Sequence, residues 1–98
     1  MSLRAQPIEQ PAALPDGRQV VVRVGIPEDP YLPRREIETV AIELIEDGEV
    51  AATVNTVLRP EHEREARALA SDVAARLESG DLQPTAGALE PLADRIPS

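Results

Sequence analysis

Between Ile37 and Leu58, apolar and β-branched residues run up to Asp47-Gly48 and away from it again. Asp-Gly between two such runs is a strong hairpin signal, because a two-residue type I′ turn needs φ > 0 at both central positions. The pattern predicts strands over about 36–45 and 50–58. Glu46 then faces Glu49, Ile45 faces Val50, Glu43 faces Ala52, Ala41 faces Val54, Thr39 faces Thr56 and Ile37 faces Leu58. Because successive side chains alternate, one face of this ribbon carries Ile37, Ala41, Ile45, Val50, Val54 and Leu58. The other carries Val40, Ile42, Leu44, Ala51 and Val57, diluted by Glu38, Thr53 and Asn55. Neither face reads as solvent-facing.

A third strand is expected over 18–26, where Val20, Val22, Val24 and Ile26 form an apolar face opposite Val21, Arg23 and Gly25, opened by a turn at Asp16-Gly17. Residues 1–17 contain Pro7, Pro11 and Pro15 with little periodicity. They read as an extended or disordered arm, with Met1-Ser2-Leu3 a cloning remnant. After the hairpin, Ala66, Leu69, Ala70, Val73, Ala74 and Leu77 recur at helical spacing and predict an amphipathic helix over 60–79. Pro60 suits its first position, Glu61, Glu63 and Glu65 suit the positive end of the dipole, and Gly80 suits a left-handed cap. Glu63 with Arg67 and Asp72 with Arg76 are favourable pairs one turn apart. A shorter helix over 85–96 would bury Leu89, Leu92 and Ile96 and be kinked at Pro91. The expected fold is α+β: a three-stranded antiparallel sheet in βββαα order, with the helices packed on one face. In outline this resembles small bacterial antitoxins and double-stranded-RNA-binding domains, in architecture alone.

Composition narrows the function classes. A chain of 98 residues is one small domain, here 18–98 after the arm. With no Phe or Trp and a single Tyr, its core must be aliphatic, and association would add burial that alanine-rich packing lacks. The net charge of −8 is spread along the chain, and every basic residue is arginine, a usage expected of a GC-rich bacterial genome. Such an acidic surface repels phosphate backbones and anionic lipid, so neither nucleic acid nor membrane is an expected partner. The absence of cysteine excludes disulfides and thiolate metal sites. No apolar run reaches the roughly 20 residues of a membrane span, and no signal-peptide core is evident, so a cytoplasmic location is expected.

Candidate chemistry is sparse. No phosphate-binding loop, dinucleotide fingerprint, nucleophile elbow or metal-spaced Cys/His set is present, and no cofactor or metal is expected. His62, flanked by Glu61 and Glu65, is the one side chain suited to acid–base work near neutrality, but it more readily reads as a half-covered residue at a helix start. The carboxylates Glu36, Glu38, Glu43, Glu46, Asp47 and Glu49 do not converge on one face and read as solvated edge charge. Pro27, Pro30 and Pro33 recur with polyproline II period, and Pro30 to Arg35 matches the P-x-x-P-x-R pattern. Tyr31, Arg34 and Arg35 are therefore the candidate partner-binding residues, although a plain strand connection stiffened by proline accounts for the same segment.

The expectation is a small non-enzymatic binding or accessory protein. It would act through protein contacts as a homo-oligomer, a two-fold dimer built on the sheet face or on edge-strand pairing. The alternatives are a small-ligand-binding protein or minor enzyme with a sheet–helix pocket near His62, and an acidic regulator that sequesters a basic partner.

Overall fold

A computed structural model describes residues 6–26 and 39–93. The chain runs β1 (Ile8–Ala13), β2 (Gln19–Gly25), β3 (Ala41–Glu46), β4 (Glu49–Asn55), α1 (Glu63–Ser79) and α2 (Ala86–Ala93). The α+β class holds, but the sheet has four strands rather than three, in the antiparallel order β1-β2-β3-β4. The added strand comes from the proline-containing segment ahead of Asp16. It registers Ile8 on Val24, Gln10 on Val22 and Ala12 on Val20, so its even-numbered residues extend the apolar face of β2. Pro11 is tolerated because of where its nitrogen points. The Leu14 N–H reaches the Arg18 carbonyl at 2.7 Å. By alternation the even residues of β1 therefore bond to β2, and the nitrogen of Pro11 lies on the free edge, where no donor is required.

The turn between β3 and β4 is as expected, with Asp47 at φ 54° and Gly48 at φ 79°. Glu46 pairs with Glu49 and Ile45 with Val50, and then the register shifts: Leu44 faces Ala52, Glu43 faces Thr53, Ile42 faces Val54 and Ala41 faces Asn55. Ala51 is the extra residue of a β-bulge. This overturns the expected pairing of Glu43 with Ala52 and Ala41 with Val54, and with it the ribbon apolar on both sides. The slip brings Ile42 and Leu44 onto the same face as Ala52, Val54 and Leu58, all of them buried. Past the strand ends, Thr56 N–H donates to the Val40 carbonyl and Val40 N–H to the Leu58 carbonyl, both at 2.9 Å.

The core lies between this face and the two helices. α1 packs over β1 and β2, and α2 over β4. The buried stripe of α1 is the predicted one: Ala66, Leu69, Ala70, Val73, Ala74 and Leu77. Gly80 caps it in the left-handed region at φ 82°. Its start differs from expectation, because Pro60 is buried ahead of the helix and His62 is the cap residue. α2 forms within the predicted span, over the part of it that the described residues cover. The Thr85 hydroxyl accepts the Ala88 N–H at 3.3 Å and so marks its start, Leu89 and Leu92 are buried, and Pro91 sits within it. Ile96 lies outside the described residues.

Candidate functional site

His62 closes a turn. Its own N–H donates to the Arg59 carbonyl at 3.0 Å, and its Nδ1 accepts the Arg59 N–H at 3.1 Å. Nδ1 is thus an acceptor, and the neutral ring holds its proton on Nε2. The segment between β4 and α1 needs this bond because Arg59 has left the sheet ladder and its N–H has no strand partner. The imidazole acts here as a backbone brace at a helix start. Among the described residues, no group of three or more His, Asp or Glu side chains is placed to hold a metal ion.

The charged side chains pair across strands. Arg23 and Glu43 are direct cross-strand partners, and one carboxylate oxygen of Glu43 accepts from both Nε (3.0 Å) and Nη2 (2.8 Å) of Arg23. Arg18 bonds Asp16 through Nε at 2.9 Å and reaches Glu46 at 3.4 Å. Arg76 meets Asp72 at 3.1 Å, the helical pair anticipated from spacing. Glu43 and Glu46 thus serve separate arginines and do not form one cation cradle. The Asp16 carboxyl is held below the ordinary aspartate value, chiefly by the backbone N–H of Arg18 and further by the Arg18 guanidinium.

His62 lines none of the depressions at the turn end of the sheet, beside Pro15 and Pro84, or along Thr53 to Asn55. The first, about 590 Å³, is open to solvent at the turn end of the sheet, with Gln19, Asp47 and Glu78 as its polar side chains. No hydrogen bonds tie these three into a constellation. A second, about 450 Å³, runs beside Thr53, Val54 and Asn55 with Glu90 on its rim. Tyr31, Arg34 and Arg35 lie outside the described residues.

The sheet face away from the helices carries cross-strand rows, and Pro11, Val21 and Ile45 of the first row also line the depression at the turn end. Pro11, Val21, Ile45 and Val50 align as one apolar row spanning all four strands. The next row is Glu9, Arg23, Glu43 and Thr53. Val50 and Val57 are 48% and 47% exposed, the large apolar side chains most open to water among the described residues. The Ile45–Val50 part of this row follows the expected hairpin register, whereas its outermost member escaped sequence reasoning because Pro11 was not read as a strand residue.

No family model matches this chain, and neither a curated protein nor a solved structure matches it. No helix among the described residues is long and apolar enough to cross a membrane.

Proposed function

We propose that this chain is a small non-enzymatic binding module that acts through protein contacts as a homo-oligomer, with the dimer as its basic unit. The observation that carries this reading is the one-sided cover of the sheet. Both helices lie on the core face, while the opposite face presents the row Pro11, Val21, Ile45 and Val50, and among the described residues β4 has no strand beyond it. Exposed apolar surface organised in this way marks interaction surfaces. The pairing of Arg23 with Glu43 and of Arg18 with Asp16 and Glu46 supports the same reading, since these groups stabilise the sheet and leave little free chemistry beside it. Tyr31, Arg34 and Arg35 are proposed as the contact for a different protein, on the strength of their sequence pattern.

Light scattering coupled to size exclusion at micromolar concentration tests the reading. The expected mass is twice that of the 10.6 kDa chain. A mass of one chain across the accessible concentration range overturns it.

A further inference from the structure

Both edges of the sheet are guarded. On β1, Pro11 and Glu9 stop a foreign strand from adding, and at β4 the Glu90 carboxylate stands over the groove beside Thr53 and Asn55. The outer face, away from the helices, has no such guard. It presents the row Pro11, Val21, Ile45 and Val50 beside the row Glu9, Arg23, Glu43 and Thr53. In the row beyond the charged one, Gly25 and Ala41 are buried, which closes the face at that end. Only half of the Arg23–Glu43 pair is used. Glu43 Oε1 accepts from both Nε and Nη2 of Arg23, so Glu43 Oε2 and Arg23 Nη1 take no part in the bond, and neither atom is shut away from solvent.

We infer that the outer face stacks on the outer face of a second copy, about a two-fold axis that runs along the strands between β2 and β3. The inference rests on the self-association reading above and specifies its geometry. That line is the midline of the four-stranded sheet, so rotation about it overlaps the two faces most fully. It keeps each row at its own height and reverses its order. Pro11 then lies over the second copy's Val50, and Val21 over the second copy's Ile45, apolar on apolar. Arg23 lies over the second copy's Glu43 and Glu43 over the second copy's Arg23, which brings the unused Oε2 and Nη1 atoms of the two pairs together. Aligned sheets pack about 10 Å apart and roughly 30° askew, and both ion pairs sit at the axis, where that angle displaces them least. An axis laid across the strands does worse. Along the charged row it sets Arg23 on Arg23 and Glu9 on Glu9; along the apolar row it sets Arg23 over Gln19 and Glu9 over Ala13. Covering a charge with its like, or with no opposite, is costly, so the charge pattern selects the axis along the strands and a second copy as the occupant.

The test compares association by sedimentation equilibrium for the wild-type chain, Arg23→Glu, Glu43→Arg, an equimolar mixture of these two variants, and Val50→Asp. Circular dichroism checks that each variant folds. Both charge variants lose the pair within their own sheet, so only contacts between copies distinguish the mixture from its components. Each charge variant alone is expected to associate at least about tenfold more weakly than wild type, because four like charges then meet at the axis. The mixture is expected to return to within about threefold of wild type, since two carboxylates on one chain then face two guanidiniums on the other. Val50→Asp, at a position 48% exposed, is expected to weaken the dimer by about tenfold, and it decides alone if a charge variant fails to fold. A wild-type dimer that tolerates these changes, or charge variants that do not recover on mixing, overturns the stacked faces and leaves self-association standing. A monomeric wild type overturns both and leaves the apolar row to a different protein.

Discussion

Replacing Thr56 by valine changes the molecule's shape least while removing its one buried polar side chain among the described residues. Thr56 is only 5% exposed. Its hydroxyl donates to the Val40 carbonyl at 2.7 Å and accepts the Leu58 N–H at 3.1 Å. Valine keeps the β-branch and the volume but supplies neither bond. The Val40 carbonyl retains a partner, the Thr56 N–H at 2.9 Å, so its loss is small. The Leu58 N–H loses the acceptor that satisfies it inside the core. An unsatisfied buried donor costs about 1–3 kcal/mol, and burying a methyl in place of a hydroxyl recovers part of that, so the net loss should be about 1–2 kcal/mol. For a domain of this size each kcal/mol lowers the melting temperature by roughly 4–8 °C, so Thr56→Val should melt about 5–15 °C below wild type. Thermal and urea denaturation followed by circular dichroism measure it. Thr56→Ser, which keeps the hydroxyl and loses one methyl, should fall between the two. A Thr56→Val variant as stable as wild type would refute the claim that this hydroxyl ties the loop after β4 to the start of β3.

Gly48→Val should lower stability by about 1–3 kcal/mol, purely through backbone strain, because φ is 79° there and nothing lies within 4 Å of where a Cβ would stand. An unchanged urea midpoint would contradict the turn geometry. The Asp16 carboxyl titrates below its unfolded value in the folded state, so its contribution is present above the ordinary aspartate range and is lost as pH falls through that range. Melting temperatures measured between about pH 2 and pH 5 should therefore fall less steeply for Asp16→Asn than for wild type, and parallel curves would show that the Arg18 contacts are not felt in solution.

How much of this was legible in the sequence depends on which physical signal each element carries. The buried face and the end of α1 were readable, since six apolar positions at helical spacing admit one buried face and Gly80 stops it, whereas its start lies three residues later than Pro60 suggested. The Asp47-Gly48 turn was readable because few dipeptides tolerate two positive φ values in succession. β1 was obscured by Pro11, and its core contacts are weak in sequence: Ile8, Gln10, Ala12 and Leu14 include one polar and one very small residue. Whether a proline blocks a strand depends on whether its nitrogen faces a neighbour or the free edge, which local sequence does not say. The brace at His62 was hidden for a similar reason. Its Nδ1 serves the backbone of Arg59, and no composition or spacing rule reports a side chain spent on a nearby N–H.

The bulge at Ala51 links fold to function. With an unbroken two-residue hairpin, Val40, Ile42 and Leu44 would share a face with Ala51 and Val57 while Val54 and Leu58 lay on the other, so half of each strand's apolar content would need cover from elsewhere. Association through the sheet face would then be close to obligatory. One inserted residue turns Ala52, Val54, Thr56 and Leu58 inward beneath the helices and leaves Thr53, Asn55 and Val57 outward. The demand for face-to-face burial shrinks to the row of Pro11, Val21, Ile45 and Val50, crossed by the Arg23–Glu43 ion pair in the next row. The edge of β4 is uncharged from Val50 to Leu58, and the Glu90 carboxylate of α2 stands over the groove beside Thr53 and Asn55, supplying from the neighbouring helix the charge that the strand lacks.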